Sequence, residues 1–389
     1  MTMDLISRRA FLNRGLAAGV GLGMAGLSRA SAQVGIEVAD LRVISLQPNL
    51  YHGWPTVACC KNGQLIVAYS GSREGHVCPF GRAEIVRSHD NGETWTWPQV
   101  VGDSVIDDRD AGVLETRSGT LLVTSFTSLA YEGALNNAIA AEGAGWDPGR
   151  FRRWKAAHAR TDAEGRKRAL GVWAFRSTDG GLTWSERIDS LVNSPHGPIQ
   201  LSDGRLLYAG CDLWRPGRKV AVAQSLDDGI SWELLSEIEP REGDEAGRYH
   251  ELHAVEASDG RIVVQIRNHN TQNDQETLQC ESEDGGKTWS KPRAIGVWGL
   301  PSHLLRLADG RLLMTYGHRR KPFGNQVRVS EDGGRSWSEP LALSADGIGG
   351  DLGYPSTAQL QDGSLVSVWY EVMAGSGNAV LRQARWRLT

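Results

Sequence analysis

Charged side chains recur beside several short apolar segments of this sequence. Arginines that converge on one place can bind a carboxylate through pairs of parallel hydrogen bonds. Acidic groups and histidines beside them can donate or accept protons. The sequence therefore predicts a site for an acidic ligand, provided that the fold brings these residues together. The residues concerned are Arg73, Glu74, His76, Asp107, Asp108, Arg109, Asp110, Arg267, His269, His318, Arg319 and Arg320.

A repeated hairpin pattern shows which elements must position these residues. Each copy is a short apolar strand, a turn with glycine and a second apolar strand, as in GPIQLSDGRLLYAG. A repeat of about fifty residues indicates a solenoid or a propeller. The six turn glycines are Gly63, Gly119, Gly204, Gly260, Gly310 and Gly363.

A second motif, Ser-x-Asp-x-Gly-x-Ser/Thr-Trp, follows the hairpin in five of the units and is called the Asp box below. Its carboxylate can accept backbone N–H groups and its glycine can adopt positive φ, so we interpret it as a structural turn. Each unit then contains four strands, and the chain is predicted to be an all-β, six-bladed propeller of antiparallel blades. LRVISL (41–46) is expected to complete the last blade, and an insertion spans about 127–170 in the second.

The order of strands in a blade assigns the two rims of the predicted ring. The glycine turns and the Asp boxes lie on one rim, which we call the bottom. The chain enters the first strand and leaves the second at the opposite, top rim. All the charged residues named above fall at top-rim positions, and so do His52, Glu251, Tyr354 and Glu371. We therefore expect the chemistry on the top rim.

The repeats and two further segments resemble the sialidase (neuraminidase) superfamily of Asp-box propellers. The similarity spans nearly the whole chain after residue 32. HELHAVEASDGRIVVQIRN (250–268) resembles the blade that supplies a Glu and a carboxylate-binding Arg. DLGYPSTAQLQDGSLVSVWYE (351–371) resembles the closing blade with the nucleophilic Tyr. The resemblance implies that Tyr354 is the nucleophile, Glu251 its base, Arg267 a ligand of the substrate carboxylate and Glu371 a supporting glutamate.

The first blade departs from the sialidase pattern. The family's Arg-x-Pro motif is replaced by Tyr-His-Gly-Trp-Pro, which puts His52 or Gly53 near the place of the arginine. The loop at 70–82, where the family carries an acidic proton donor, contains no Asp. The proton donor therefore stays open among Glu74, His76 and Asp110. The expected substrate-binding residues are Arg267, Arg73, Arg109, Arg319, His52 and Glu371, with Arg320 as an alternative to Arg319.

The resemblance implies a retaining, exo-acting glycoside hydrolase that removes a terminal acidic sugar, sialic acid or a relative, from a glycan or glycoconjugate. Two alternatives stay open, which are a non-catalytic carbohydrate-binding propeller and a polysaccharide lyase that acts on uronic acids. No cofactor or metal is expected, because HELH at 250–253 lacks the HExxH spacing of zinc enzymes. The net charge of −4 gives no general attraction to nucleic acid.

Residues 1–32 have the features of a twin-arginine export signal. Ser-Arg-Arg-Ala-Phe-Leu at 7–12 precedes a glycine-rich apolar stretch and an Ala-Ser-Ala cleavage site that ends at Ala32. We expect cleavage after Ala32 and a periplasmic or secreted propeller over 33–389 that has no membrane span. Five cysteines without CxxC spacing argue against a zinc site or a disulfide framework.

Overall fold

The computed structural model describes residues 34–214, 217–270 and 275–389. These residues form six four-stranded antiparallel sheets, which are the blades of one propeller. The prediction of an all-β, six-bladed fold is thereby confirmed. The predicted export signal lies outside the described residues. None of the helices in the described part of the chain is long and apolar enough to cross a membrane.

Five blades consist of four strands that follow one another in the chain. Blades one and two contain β2 (Tyr51–Cys59), β3 (Leu65–Arg73), β4 (Arg82–Ser88) and β5 (Gln99–Gly102), then β6 (Asp107–Glu115), β7 (Leu121–Ser128), β8 (Val172–Ser177) and β9 (Ile188–Asp189). Blades three and four contain β10 (Ile199–Gln200), β11 (Leu206–Cys211), β12 (Val220–Ser225) and β13 (Glu233–Glu237), then β14 (Tyr249–Glu256), β15 (Ile262–Asn268), β16 (Glu276–Ser282) and β17 (Arg293–Trp298). Blade five contains β18 (Ser302–Arg306), β19 (Leu312–His318), β20 (Phe323–Ser330) and β21 (Leu341–Gly347).

The sixth blade takes strands from both ends of the described chain. Its inner strands are β22 (Leu352–Gln359), β23 (Leu365–Val372) and β24 (Ala379–Leu388), and its outer strand is β1 (Ile36–Val43). The closing strand was predicted at 41–46, but it lies at Ile36–Val43. Its ladder with β24 begins at the Ile36–Leu388 pair. This pairing closes the ring, as the sequence predicted.

The apolar core lies between neighbouring blades, since the faces of successive sheets pack against each other. Ile66 of blade one, for example, belongs to the same buried cluster as Val113 of blade two. Tyr69 and Val368 share the cluster that joins blades one and six. The first strands of the sheets, β2, β6, β10, β14, β18 and β22, are each at one edge of a blade. Among them, β2 packs against β6 and β22, and β18 packs against β14 and β22.

The Asp boxes are hydrogen-bonded turns that also link blades. In the fifth, the Asp332 carboxylate accepts the Ser336 N–H at 2.9 Å and the hydroxyls of Ser330 and Ser336 at 2.8 and 2.5 Å. The indole of Trp337 donates to Gln279 of the preceding blade at 3.0 Å. The carboxylate accepts the donors of the turn, and the indole attaches the turn to the sheet of the preceding blade, which agrees with a structural role.

We expect Asp332→Ala to lower the free energy of unfolding by about 1–2 kcal/mol, because it leaves the donors of a folded turn without their acceptor. The difference is measured as a shift in the midpoint of urea denaturation. Glu331→Ala, at the exposed neighbouring position, is the matched control and should have no effect. An equal shift for both variants would contradict a specific role for the box carboxylate.

The insertion in blade two is helical and packs on the top rim. It contains α1 (Glu132–Ala140), α2 (Pro148–His158) and α3 (Ala163–Ala169). Tyr131 and Trp154 are buried in one apolar cluster with Cys78 of the loop that follows β3. The Asp147 carboxylate caps α2 by accepting the Arg150 N–H at 2.7 Å. The insertion is therefore anchored to the first blade.

Candidate functional site

A cavity of about 360 Å³ is lined by top-rim residues of blades one, two, four, five and six. Its wall combines aromatic rings with groups that can carry charge. The residues on which the following argument depends are Trp54, His76, Arg109, Asp110, Glu251, Arg267, Arg319, Tyr354 and Tyr370. The top rim thus holds a concave polar site, where the order of strands predicted one.

Three lining residues reach the cavity through a local distortion of the innermost strand. Trp54, Asp110 and Tyr354 have φ values of 55°, 43° and 53°, a region that residues with a side chain rarely adopt. In each strand the pairing register shifts at that point, which is a β-bulge or a related irregularity. Such irregularities redirect a side chain out of the strand's alternation. Blades one, two and six therefore use the same backbone device to aim an indole, a carboxyl and a phenol into one cavity.

Tyr354 and Glu251 are directly hydrogen-bonded, although they belong to blades six and four. The tyrosine hydroxyl donates to Glu251 Oε1 at 2.5 Å. Arg267 Nη1 lies 2.8 and 3.0 Å from the two carboxylate oxygens and 3.0 Å from the tyrosine oxygen. The carboxylate is therefore placed to take the phenolic proton, and one guanidinium nitrogen holds both partners.

The protonation states of this pair follow from burial and from Arg267. Burial, with help from the Glu251 charge, raises the pKa of Tyr354 well above its usual value. Burial alone would also raise the pKa of Glu251, but Arg267, His250 and the bond from Tyr354 outweigh it and lower that pKa to about 2. At neutral pH the site therefore holds a neutral phenol next to an ionised carboxylate.

Asp110 is the carboxyl group of the cavity whose ionisation is least favourable. Burial raises its pKa to about 7, since the attraction of Arg109 only partly offsets desolvation and the Glu251 charge adds to it. Near pH 7 a large part of the population is thus protonated. Two carboxyl groups with opposite pKa shifts in one cavity can divide the roles of acid and base.

Three arginines line the cavity, from blades two, four and five. Arg109 lies over the Trp54 ring, 4.3 Å from its centroid, and its Nη1 donates to the His76 carbonyl at 3.3 Å. Arg319 donates to the Leu352 carbonyl at 2.9 Å and to the Tyr370 hydroxyl at 3.2 Å. With Arg267 they create a positive environment suited to a carboxylate.

A family model described as "BNR repeat-like domain" matches residues 154–367, which is more than half of the sequence. The chain belongs to this family. The Asp boxes are the repeats of this BNR protein, and the predicted relationship to sialidase-type propellers is confirmed for the repeat and for the fold.

Solved structures share the fold of the BNR protein at low sequence identity. A protein of unknown function from Dyadobacter fermentans DSM 18053 is 24% identical with a TM-score of 0.72, over 91% of this chain and 100% of that chain. The Hadza microbial sialidase Hz136 is 17% identical with a TM-score of 0.60, over 86% of this chain and 65% of its own. The intramolecular trans-sialidase from Ruminococcus gnavus is 16% identical with a TM-score of 0.62, over 87% and 94%. No curated protein sequence matches the chain.

Arg73 of the BNR protein, a predicted substrate-binding residue, is not among the residues that line the cavity. Arg73 is completely buried and forms a two-pronged ion pair with Asp107, at 2.6 and 3.0 Å. It also donates to the His76 carbonyl at 2.9 Å, and its Cζ lies 4.9 Å from the centroid of the Trp54 ring. Its donors are thus directed at groups of the protein and not at the cavity.

Three further candidates also lie outside the cavity lining. Glu74 accepts hydrogen bonds from Arg153 at 2.5 Å and from the Trp154 indole at 3.0 Å, so it anchors the insertion. His52 is buried against the Tyr69 ring, and burial lowers its pKa to about 4. Glu371 accepts from the Trp369 indole and from Arg382, both at 2.9 Å. None of these three is among the residues that line the cavity, and the partners named here occupy them within the protein.

Tyr370 was missed among the predicted site residues. It precedes Glu371 in β23, and successive side chains of a strand point to opposite faces. Tyr370 lines the cavity, with its ring 5.8 Å from that of Tyr354, while Glu371 faces the other way. The alternation along β23 was the signal that could have distinguished them.

His76 lines the cavity and is held by its neighbours. Its Nδ1 lies 2.8 Å from the Tyr51 hydroxyl and 3.2 Å from Asp351 Oδ1, which joins blades one and six. Among the described residues, no group of three or more His, Cys, Asp or Glu side chains has an arrangement for binding a metal. The five cysteines, all of them within the described ranges, are not disulfide-bonded.

Proposed function

We propose that the protein is a retaining, exo-acting glycoside hydrolase that removes a terminal acidic sugar, sialic acid or a relative, from a glycan. The observation that carries the proposal is the hydrogen bond from Tyr354 to Glu251 in a cavity with three arginines. The fold shared with proteins named as sialidases supports it. The chain spans 65% of the length of sialidase Hz136.

Substrate binding begins with the carboxylate of the acidic sugar. Arg109, Arg267 and Arg319 attract it, and guanidinium groups bind it through paired hydrogen bonds. Arg267 forms an ion pair with Glu251 at 2.8 Å. A substrate carboxylate shares the charge of Arg267 and so weakens its hold on Glu251. Glu251 then becomes a stronger base only when an acidic sugar is bound.

Tyr354 attacks the anomeric carbon in the first chemical step. As its oxygen forms the bond to carbon, its proton passes to Glu251 along the existing hydrogen bond. A neutral phenol suits this role because a carboxylate nucleophile would be repelled by the acidic substrate. Sialidases are the known exceptions that use a tyrosine in place of a second carboxylate.

Asp110 donates the proton that the leaving oxygen needs. Its raised pKa of about 7 keeps the acid form available near neutral pH. In the second step Asp110, now ionised, accepts a proton from the water that cleaves the bond between Tyr354 and the sugar, while Glu251 returns its proton to the phenolate. Two inversions at the anomeric carbon give net retention.

The test is incubation with a panel of sialylated and uronate-containing glycans, followed by product analysis by NMR. We expect release of a free acidic sugar that first appears in its original anomeric configuration. An unsaturated product that absorbs in the near ultraviolet would instead identify a lyase. An anhydro sugar as the product would indicate an intramolecular trans-sialidase reaction, the activity for which two proteins of the same fold are named. Binding without any product would favour a carbohydrate-binding propeller.

A further inference from the structure

A cavity of about 350 Å³, called the central cavity below, is lined by residues from the first strand of every blade, which are β2, β6, β10, β14, β18 and β22. Four of its lining residues are the last residues of their strands, so the cavity extends to the bottom rim. These residues are Cys59, Glu115, Arg306 and Gln359. The central cavity shares no lining residue with the top-rim cavity that contains Tyr354.

Three buried histidines from blades three, four and five line the central cavity. They are His196, which precedes β10, His253 of β14 and His303 of β18, and they are called the histidine cluster below. The centroids of their rings lie 4.5 to 5.4 Å apart. The histidine salt bridges of the described residues involve His76 and His158 and none of these three. The histidine cluster therefore lacks a paired counter-charge.

The position of the proton follows for two of the rings from their hydrogen bonds. His253 Nδ1 accepts the Leu304 N–H at 2.9 Å, and His303 Nδ1 accepts the Thr357 N–H at 3.4 Å. A neutral imidazole that accepts through one nitrogen carries its proton on the other. The Nε2 atoms of His253 and His303 are therefore N–H donors.

The third ring, that of His196, has a buried nitrogen with no partner among the described residues, which is Nε2. Its Nδ1 lies 3.3 Å from Thr56 Oγ1, and this hydroxyl donates its only proton to the Pro195 carbonyl at 3.0 Å. Nδ1 must then be the donor toward Thr56, which leaves a lone pair on Nε2. A proton taken up there would give the histidine cluster a third Nε2–H donor and one positive charge.

We propose that the central cavity binds one small monovalent anion of the halide class, together with a proton on His196. Three N–H donors and a single positive charge are neutralised by one monovalent anion, whereas a dianion would leave excess charge buried. A metal ion does not suit the cluster, because His253 and His303 carry protons on the Nε2 atoms that would have to bind it. The proposal concerns a cavity separate from the site of the proposed function and holds whether or not that site cleaves a glycoside.

The charges around the histidine cluster make anion binding depend on pH. Burial and the neighbouring His253 lower the pKa of His196 well below its usual value, and the Glu251 charge offsets this only in part. Burial lowers the pKa of His253 to about 3, and burial with the two other rings lowers that of His303. The Tyr354 ring, 6.5 Å from that of His196, is a neutral phenol. The titratable groups at the bottom end of the cavity are Cys59, Glu115 and Arg306. The cluster is therefore uncharged at neutral pH, and its affinity for an anion should increase as the pH falls.

The first experiment measures chloride binding through the broadening of the chloride NMR signal at pH 5, 6 and 7, with sodium gluconate keeping the ionic strength constant. We expect the apparent dissociation constant to rise about tenfold per pH unit, because the protonated fraction of the cluster falls by that factor above its pKa. His196→Gln removes the proton acceptor and should abolish this pH-dependent binding. His52→Gln is the matched control and should retain it, since His52 is a buried histidine with a lowered pKa of about 4 that lies outside the central cavity.

Broadening that is equal in the wild type and in His196→Gln, or that does not depend on pH, would overturn the anion site. If His196→Gln does not fold, anomalous diffraction from wild-type crystals soaked in bromide at pH 5 decides the question. A bromide peak within hydrogen-bond distance of the Nε2 atoms of the histidine cluster supports the proposal, whereas peaks on the surface alone, or none, overturn it. Neither measurement uses a glycan, so a failure of the anion site and a failure of the proposed function are distinguishable.

Discussion

Tyr354→Phe is expected to reduce kcat on an acidic glycoside by about 10³-fold or more, with little change in KM. The substitution removes only the oxygen that attacks the anomeric carbon, and the loss of one member of a unit that acts together abolishes most of its catalysis. The ring should keep its packing, which includes Trp54 and Tyr370 with centroids at 6.4 and 5.8 Å. Steady-state kinetics on a hydrolysed member of the glycan panel measure the effect.

The matched control for this variant is Tyr316→Phe in blade five. Tyr316 is as buried as Tyr354, and its hydroxyl donates to Gln326 at 2.7 Å away from the cavity. Its loss should leave kcat unchanged, which separates the removal of a nucleophile from the removal of any buried hydroxyl. Turnover by Tyr354→Phe at the wild-type rate would eliminate the proposed nucleophile.

The pH dependence of kcat/KM is expected to reflect Asp110 on the alkaline side. The acid form of a group with a pKa of about 7 decreases tenfold per pH unit above that value, so kcat/KM should fall in the same way. Glu251 has a pKa of about 2 and therefore stays ionised between pH 4 and 6. We expect no decline of kcat/KM on the acidic side over that range. Asp110→Asn should lower kcat/KM on a glycan by about 10²–10⁴-fold and remove the alkaline decline.

Two comparisons make the assignment of Asp110 specific. A glycosyl fluoride needs little protonation as fluoride departs, so Asp110→Asn should keep most of the activity on that substrate. Asp108 is a neighbouring buried carboxyl whose pKa burial also raises to about 7, and it accepts the Ser104 N–H at 2.7 Å outside the cavity. Asp108→Asn should retain the alkaline decline. If the decline persists in Asp110→Asn and disappears in His76→Gln, then His76 is the proton donor.

The fold could be predicted because the same turn motifs recur along the sequence. Each hairpin glycine and each Asp box marks a turn at one rim, and the number of turns determines the number of blades. The ends of the closing strand were harder to predict, because β1 is largely exposed and its sequence lacks the regular alternation of apolar and polar residues of a half-buried strand. Its start at Ile36 depends on pairing with β24, which lies at the other end of the described chain.

The site could be predicted to the level of the rim but not to the direction of each side chain. Glu74 and Arg73 are at top-rim positions, yet their partners are Trp154 and Asp107, which come from elsewhere in the sequence. Trp54, Asp110 and Tyr354 enter the cavity through positive φ angles that no pattern of residue types announces. Long-range pairing and local backbone distortion therefore decide which rim residues face the ligand.

The missing first-blade arginine has a physical counterpart in the structure. The position near His52 is occupied by a buried neutral ring, and no guanidinium extends from there into the cavity lining. Arg109 of the second blade lies over Trp54 instead, and it brings a positive charge to the same part of the wall. Blades two, four and five thus supply the three guanidinium groups of the cavity. In the sialidase pattern the first blade supplies one of them.

The pairing of β1 with β24 has a consequence for association between copies of the chain. Most of the side chains of β1 are exposed, so the backbone ladder from Ile36 to Val43 contributes much of its attachment. If β1 separates, β24 becomes a bare edge with a row of unpaired N–H and C=O groups, which can accept the same strand from another molecule. The eight residues of β1 therefore close the ring and cover the edge of β24, and they are also the segment that two copies would exchange in a domain swap.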